Sequence, residues 1–248
     1  MFFNLFKLFG LLIRWIDLII LTLILYLLAL LPRTWTESFY PKLFWIWCRH
    51  FVRALNVDLK LSQHNIKPIP DRYLLIANHP SAFEDIGIPS LFDVYSLAKE
   101  GVRHWPIAGP ISEAAGTLYV IRSNKDSRKE AYQNMIDALK SGKNIAVYPE
   151  GGCFGRRVHE FRYGPFDISL KSGIPILPIF LHYEAQDDFE WGEGQTLIDK
   201  IKHFMATKNN RATYHVYDAI DPQDFDNKED YMKHVCDLYK KWESKYFD

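Results

Sequence analysis

The chain has 248 residues, with 30 basic and 30 acidic side chains and a formal net charge of zero. This balance argues against a general nucleic-acid binder, because such a protein needs a basic surface to neutralise phosphates. Hydrophobic residues make up 48% of the chain and aromatic residues 15%, enough for a sizeable core with apolar surface left for lipid. The three scattered cysteines, Cys48, Cys153 and Cys236, indicate free thiols in a reducing compartment and neither a disulfide framework nor a zinc site.

Residues 1–31 are apolar with few interruptions, and they predict a membrane helix that either spans the bilayer or is deeply embedded in it. The uninterrupted part, Leu18 to Leu31, reaches only about 21 Å at about 1.5 Å per residue, which is less than a hydrocarbon core of about 30 Å. Extension back to Leu11 gives enough length but includes Arg14 and Asp17, which share a helical face and could pair. A buried soluble helix and a cleaved signal peptide are the weaker alternatives.

The segment from Trp35 to Leu55 mixes aromatic and aliphatic residues with basic ones. This composition is typical of an interfacial helix, although packing against the first helix is the alternative and both can hold. Because basic residues such as Arg49 follow the apolar segment, a spanning helix would leave the rest of the chain on the cytoplasmic side. We therefore predict membrane-anchoring helices in residues 1–57 and an α/β domain in residues 58–248.

Beyond residue 57, short apolar runs alternate with amphipathic segments, the pattern of an α/β fold with a mixed or largely parallel sheet flanked by helices. The predicted strands are Tyr73–Ala77, Val94–Ala98, Leu118–Arg122, Asn144–Tyr148, Ile176–His182 and Thr213–Tyr217. The predicted helices are Lys125–Leu139, Phe166–Lys171, Gln195–Met205 and Lys228–Tyr246. The chain has no GxxxxGK or GxGxxG motif, so nucleotide binding of those kinds is not supported.

His79 lies where the first predicted strand meets a helix that Pro80 and Ser81 are expected to open. Such strand ends are where α/β folds place their chemistry. A neutral imidazole takes a proton from a hydroxyl near pH 7, and a carboxylate on its other nitrogen fixes the tautomer. Ser81 and Glu84 also match a capping box, however, and taken alone the motif favours this structural role over catalysis.

Four blocks follow one another along the chain: Asn78-His79-Pro80-Ser81 with the acids Glu84 and Asp85, then Gly116 to Arg122, Val147 to Gly152, and Gly173 to Ile179. Lys99 before the second block and Phe161-Arg162-Tyr163-Gly164 before the fourth fit the same pattern. Together they resemble the glycerolipid acyltransferase superfamily, whose bacterial members make phosphatidic acid from lysophosphatidic acid. The resemblance covers roughly residues 70–185, and the membrane-embedding N-terminal helices are similar too.

The resemblance implies an acyltransferase without metal or organic cofactor, with acyl-CoA or an acyl carrier protein as donor and a lysolipid, by default 1-acylglycerol-3-phosphate, as acceptor. His79 would deprotonate the acceptor hydroxyl, which then attacks the thioester carbonyl. Arg122, assisted by Lys99, would bind the acceptor's phosphate, because the planar guanidinium suits bidentate contact. Glu150, followed by Gly151, would organise the acceptor site. Without the family pattern, Arg122 would be interpreted as a surface charge and Glu150 as a solvated turn residue.

Two positions depart from the family pattern. The family usually has Asp five residues after the His, where this chain has Glu84, with Asp85 one residue later. A residue three after the cap points back towards His79, whereas the next is turned by about 100°. We therefore expect Glu84 to orient His79 and Asp85 to be secondary. After Pro-Glu-Gly the family usually continues with Thr and Arg, but here a basic pair is displaced to start at Arg156, a further candidate substrate contact.

The second departure leaves the acceptor open between a lysophospholipid, a larger lysolipid and an aminolipid precursor. Two other functions also remain: a catalytically inactive member that binds lipid or anchors a partner, and a thioester hydrolase that uses the same base with water. Cys153 is a disfavoured nucleophile, because the base at His79 provides direct transfer without a covalent intermediate. We expect His79, Arg122 and Glu150 to lie together at one edge of the sheet, facing the membrane.

Overall fold

A computed structural model of the chain describes residues 2–192 and 194–247, of which residues 2–7 are described as backbone. The helices are α1 (Phe2–Ala29), α2 (Arg33–Thr36), α3 (Tyr40–Ala54), α4 (Glu84–Leu91), α5 (Ala108–Ala114), α6 (Lys125–Lys140), α7 (Gly164–Ser172), α8 (Gln186–Phe189), α9 (Leu197–Ala206) and α10 (Lys228–Phe247). The strands are β1 (Asp58–Gln63), β2 (Leu74–Ala77), β3 (Tyr95–Lys99), β4 (Leu118–Val120), β5 (Ile145–Val147), β6 (Ile176–Tyr183) and β7 (Arg211–Val216).

The seven strands form one mixed sheet in the order β1-β7-β6-β2-β5-β3-β4. All neighbouring strands are parallel except β6 and β7, which are antiparallel. The carboxyl ends of β2, β3, β4 and β5 therefore meet at one edge. Lys99 is the last residue of β3, and the loops after β2, β4 and β5 carry His79, Arg122 and Glu150. The predicted α/β class, a sheet flanked by helices, is confirmed.

The sheet is buried on both faces, because successive strand residues point to opposite sides. In β2, Leu75 and Ala77 pack against helices α3, α4, α8 and α9, whereas Leu74 and Ile76 pack against α6, α7 and α10. A buried Leu or Ile contributes about 1.5–3 kcal/mol relative to an exposed one, so these layers hold the strand ends in fixed positions.

The six strands and four helices predicted from the sequence are present, with ends shifted by at most two residues. The prediction missed β1, an edge strand in which polar residues alternate with Leu59 and Leu61 and most side chains are exposed. It also missed the short helices α2, α5 and α8. Helix α5 was not predicted because it contains Gly109 and Pro110, and both residue types have low helix propensity.

Helix α1 contains a stretch, Leu8–Ala29, that is long and apolar enough to cross a membrane. Its mean hydropathy is 2.3, and only 11% of its most apolar part is buried inside the protein. Its few buried residues, such as Leu18 and Leu25, face α3 and α5. Trp47 of α3 donates to the Thr22 hydroxyl at 2.8 Å, so the alternative in which this segment packs on the first helix is confirmed.

Arg14 and Asp17 each bind another partner in the structure. Arg14 donates to the Asn56 side chain at 3.1 Å, and the carboxylate of Asp17 lies 3.5 Å from His50 Nδ1. Both partners come from α3 or the residues just after it, because the antiparallel packing of α1 and α3 brings them closer than the neighbouring turn of α1.

A histidine cluster joins the sheet to the C-terminal helix. His64 Nε2 lies 3.0 Å from His215 Nδ1, and the Tyr246 hydroxyl of α10 lies 3.2 Å from the same His215 nitrogen. His182 stacks on Tyr246. Burial, followed by the charges of His64, His182 and Lys245, lowers the pKa of His215 from 6.5 to about 4. The folded protein therefore holds this imidazole neutral.

We expect the free energy of unfolding to fall as the pH drops from 7 towards 4, because the unfolded chain binds a proton at His215 that the folded chain rejects. The stabilisation is complete above pH 6.5 and its loss amounts to at most about 3 kcal/mol by pH 4. Denaturant unfolding at a series of pH values measures it. The variant His215→Gln should show a shallower dependence on pH over this range, and an unchanged dependence would contradict the prediction.

Candidate active site

The end of β2 is fixed by Asn78, a buried residue that sequence analysis noted only as part of a motif. Its amide donates to the Leu181 carbonyl at 3.1 Å and accepts from the Leu181 N–H at 2.7 Å. This pair of bonds continues the pairing of β2 with β6 by one residue through a side chain. His79 follows directly, so its backbone position is set by the sheet.

The His79 side chain is 7% exposed and stacks on Tyr148, with ring centroids 4.0 Å apart and an interplanar angle of 6°. Its Nδ1 atom lies 3.7 Å from Glu84 Oε2, and neither atom has a hydrogen-bond partner in the described part of the chain. The distance is that of an ion pair that has not closed to a hydrogen bond. Because Nδ1 faces the acid, Nε2 is the nitrogen left for an acceptor hydroxyl.

The predicted helix opening at Pro80 and Ser81 is corrected, since α4 begins at Glu84. Residues 80–83 form a turn in which the Ser81 Oγ accepts from the Phe83 N–H at 3.2 Å. Glu84 Oε1 accepts from the Ser81 N–H at 2.9 Å, as the capping interpretation expected. One carboxylate oxygen of Glu84 thus supports the turn and the other faces His79, so the structural and the catalytic interpretations do not exclude each other.

Burial dominates the proton equilibria of this pair. Burial lowers the pKa of His79, the carboxylates of Asp85 and Glu150 act against it, and Arg122 lowers it further. The imidazole is therefore neutral at pH 7, the state that a general base needs. Burial raises the pKa of Glu84 well above its usual range, and backbone N–H groups and the Tyr183 hydroxyl act against that rise.

Asp85 lies one position further around α4 and is exposed to solvent. In the described part of the chain, only Glu84 lies within ion-pair distance of the His79 ring. Asp85 acts on His79 through its charge alone, raising the pKa of the imidazole. The expected division of roles between Glu84 and Asp85 agrees with this geometry and remains a prediction for activity.

Glu150 is 3% exposed, so it is not the solvated turn residue that its local sequence suggests. Its Oε1 accepts from the His79 N–H at 2.9 Å and its Oε2 accepts from the His159 N–H at 3.0 Å. Both oxygens are thereby used within the protein. Glu150 joins the loop after β2 to the long loop after β5, and its role in the acceptor site stays a prediction.

Gly151 has a φ of +77°, a conformation that favours glycine, and a Cβ there would overlap the Arg162 side chain. Its carbonyl accepts a hydrogen bond from the Arg122 guanidinium. Arg122, beyond the end of β4, is thus held over the loop that carries Glu150. The structure brings His79, Glu84, Arg122 and Glu150 together as expected.

A cavity of about 270 Å³ opens next to this cluster, and Tyr148, the ring that stacks on His79, lines it. Its apolar walls include Leu97, Val120, Ala131, Met135, Val147 and Ile168. Three arginines also line it: Arg122, Arg128 and Arg162. Within the described residues, none of the three guanidinium groups forms an ion pair with a protein carboxylate, so each is available to an anionic ligand.

No role was predicted for Arg128 from the sequence, and Arg162 was only part of the Phe161-Arg162-Tyr163-Gly164 pattern. Arg128 lies in the first turn of α6 and donates to the Arg122 carbonyl. Its signal in the sequence was its position: a basic residue at the start of a helix that follows the Arg122 block. Tyr148 was likewise quoted without a role, because only the folded chain stacks it on His79.

Two predicted substrate residues lie outside the cavity lining. Lys99 is exposed at the end of β3. Arg156 binds Asp187 in α8 and Glu190 directly after α8, so its charge is balanced within the protein. Substrate contact by either residue stays a prediction.

The Cys153 thiol is not activated. Its Sγ donates to the Ser81 carbonyl at 3.4 Å, and burial, reinforced by the charges of Glu84 and Asp85, raises the pKa of the thiol. A reactive cysteine needs the opposite shift. The residue therefore supports the loop, in agreement with the low weight given to it as a nucleophile.

The sequence matches a family model described as Acyltransferase over residues 60–182, from within β1 to β6. A lyso-ornithine lipid O-acyltransferase of Pseudomonas aeruginosa is 32% identical over 138 residues, 55% of this chain and 52% of that protein. A 1-acyl-sn-glycerol-3-phosphate acyltransferase of Neisseria meningitidis is 23% identical over 139 residues, 54% of this chain and 53% of that protein. The aligned parts thus span about half the length of these curated relatives.

The crystal structure of the 1-acyl-sn-glycerophosphate acyltransferase from Thermotoga maritima has the same fold, with a TM-score of 0.63 at 20% sequence identity. The similarity covers 94% of this chain and 97% of that one, so it includes the N-terminal helices and the sheet. The family model spans the strand ends that carry His79, Arg122 and Glu150. The chain therefore belongs to the glycerolipid acyltransferase superfamily.

Proposed function

We propose that the chain is a membrane-bound O-acyltransferase that transfers a fatty acyl group from acyl-CoA or acyl carrier protein to the hydroxyl of an anionic lysolipid. The observation that carries the proposal is the contact between two features. A neutral, acid-backed imidazole at His79 stacks on Tyr148, and Tyr148 lines a cavity with apolar walls and three unpaired arginines. The first feature suits a base, and the second suits a lipid with an anionic group.

In the proposed reaction, His79 Nε2 takes the proton of the acceptor hydroxyl as its oxygen attacks the thioester carbonyl. The imidazolium that forms faces the Glu84 carboxylate, which stabilises the charge. When the tetrahedral intermediate collapses, the carbon–sulfur bond breaks and the imidazolium returns the proton to the thiolate. An ester and a free thiol result, and His79 is again neutral.

The acceptor's anionic group would contact Arg122, Arg128 and Arg162, because guanidinium groups bind phosphate and carboxylate oxygens in bidentate fashion. We take 1-acylglycerol-3-phosphate as the leading acceptor. A lyso-ornithine lipid is the second candidate, favoured by the 32% identity to an enzyme named for that acceptor. Both carry an anionic group, a phosphate or a carboxylate, that suits the arginines.

The membrane part of the proposal assigns residues 1–57 to anchoring and residues 58–248 to catalysis. The apolar and largely exposed stretch Leu8–Ala29 supports insertion into the bilayer. The basic residues that follow it, such as Arg49, favour the cytoplasmic side for the catalytic part. Met1 and Asp248, the outer limits of the two assigned parts, lie outside the described residues.

The test is thioester consumption by the purified protein in vesicles, with acyl-CoA or acyl carrier protein and a panel of lysolipids. We expect thiol release that depends on an acceptor and falls by about 10²–10⁴-fold in His79→Ala, because the general base is lost. His234→Ala, an exposed histidine of α10, is the matched control and should retain activity. Lipid binding without turnover would support an inactive member, and acceptor-independent fatty acid release would support a hydrolase.

The roles of the two acids are separable by isosteric variants. We expect Glu84→Gln to lower kcat by about 100-fold, because the imidazolium loses its counter-charge, and Asp85→Asn to lower it by less than about tenfold. Steady-state kinetics at saturating acceptor measures both. A severe loss in Asp85→Asn with an active Glu84→Gln would reverse the assignment.

Removal of the Arg122 guanidinium tests the acceptor site. We expect Arg122→Ala to lower kcat/KM for the lysolipid by about 10–100-fold, mainly through KM, since one charge-assisted contact is lost. Arg72→Ala, at the opposite end of the sheet, is the matched control. Equal losses in Arg156→Ala and Arg122→Ala would move the anion site to the Arg156 loop, and an unchanged KM in Arg122→Ala would refute the assignment.

A further inference from the structure

Glu84 is fully buried, at 0% exposure, and within the described residues no Lys or Arg forms an ion pair with it. A buried carboxylate without a cation depends on hydrogen-bond donors for its charge. Ser81 supplies one backbone N–H to Oε1. The oxygen that faces His79, Oε2, receives no such bond, so any further stabilisation must come from side chains around it.

Two tyrosines lie in this layer. Tyr183 at the end of β6 and Tyr214 in β7 are both fully buried, and their hydroxyl oxygens are 3.2 Å apart, within hydrogen-bond distance. Tyr183 opposes the effect of burial on the pKa of Glu84, although no completed hydrogen bond joins the two side chains in the described residues. The two hydroxyls therefore form a pair in the buried layer that also holds the Glu84 carboxyl.

The surrounding chain fixes the two rings. Tyr183 stacks on Phe189 with centroids 4.5 Å apart and an interplanar angle of 10°, and it meets Phe83 edge-on. Gly87 of α4 leaves room for the Tyr214 hydroxyl, because a Cβ at that position would overlap it. The strands and α4 thus hold both hydroxyls in the buried layer next to α4.

We propose that Tyr183 and Tyr214 are positioning residues that hold the Glu84 carboxylate towards His79 and set the pH below which the pair stops working as a base. The inference rests on the proposed function and goes beyond it, since it assigns residues outside the motif blocks to the catalytic step. Tyr183 acts directly on Glu84, and Tyr214 acts through Tyr183.

The titratable groups that face Glu84 are His79, Asp85, Tyr148, Cys153, Tyr183 and Tyr214. Of these, His79 gains charge during the reaction, and Asp85 opposes ionisation of Glu84 by repulsion. Burial raises the pKa of both tyrosines well above the usual range, so each hydroxyl keeps its proton and remains a donor. A donor stabilises the carboxylate more than the carboxylic acid, and its removal makes Glu84 bind a proton at higher pH.

The experiment is the pH profile of kcat/KM for Tyr183→Phe and Tyr214→Phe. We expect the acid limb to move to higher pH, by about one unit in Tyr183→Phe and by less in Tyr214→Phe, with KM for the acceptor unchanged at the plateau. Tyr231→Phe is the matched control: it removes a buried hydroxyl that donates to the Ile220 carbonyl at 2.9 Å on the other face of the sheet. It should lower stability and leave the acid limb in place.

A second measurement does not need turnover. The infrared band of the protonated Glu84 carboxyl, identified as the band that Glu84→Gln removes, should titrate at higher pH in Tyr183→Phe than in the wild-type chain. Equal midpoints in both proteins, or coincident acid limbs, would overturn the inference. Absence of thiol release in the wild-type protein would instead overturn the proposed function, and the infrared titration would still decide the role of the tyrosines.

Discussion

The carboxylate of Glu150 accepts two backbone hydrogen bonds, from His79 and from His159, and the geometry of the whole site depends on them. A buried carboxylate is stable only where donors replace its water, and here both donors are peptide N–H groups of loops that would otherwise be independent. The bond to His79 fixes the base at the end of β2. Gly151, the next residue, turns its carbonyl towards Arg122, so loops after three different strands are joined through two adjacent residues.

The acids and the arginines of the site have different kinds of partner. Glu84 and Glu150 accept hydrogen bonds from peptide N–H groups, and the three cavity arginines have no carboxylate partner in the described part of the chain. An arginine bound to Glu84 would neutralise the charge that the imidazolium needs during the reaction. Because the arginines lie at the cavity and do not bind Glu84, the charge of Glu84 is available to the His79 imidazolium and the charges of the arginines are available to a ligand.

The fold was largely predictable from the sequence, because strands buried on both faces are continuous apolar runs. Edge strand β1 was missed, since Asp58–Gln63 is mostly exposed and has no such run. At the site, the spacing of His79 and Glu84 was informative because a single turn of chain relates them. The placement of Tyr183 and Tyr214 beside α4 was not predictable, because it arises from the antiparallel register of β6 and β7 and from the missing side chain of Gly87. The same limit explains why the partner of Asp17 was not predicted, since its contact lies on another helix.

The packing of α1 on α3 and α5 has a consequence for how such an enzyme meets its lipid. With α1 in the bilayer as proposed, α5 and α4 connect the anchor to the His79 turn through side-chain contacts and no flexible linker. The height of the base above the bilayer midplane is then a property of the fold. A lysolipid would arrive by lateral diffusion in two dimensions, and the reaction rate would follow its mole fraction in the membrane and not its bulk concentration.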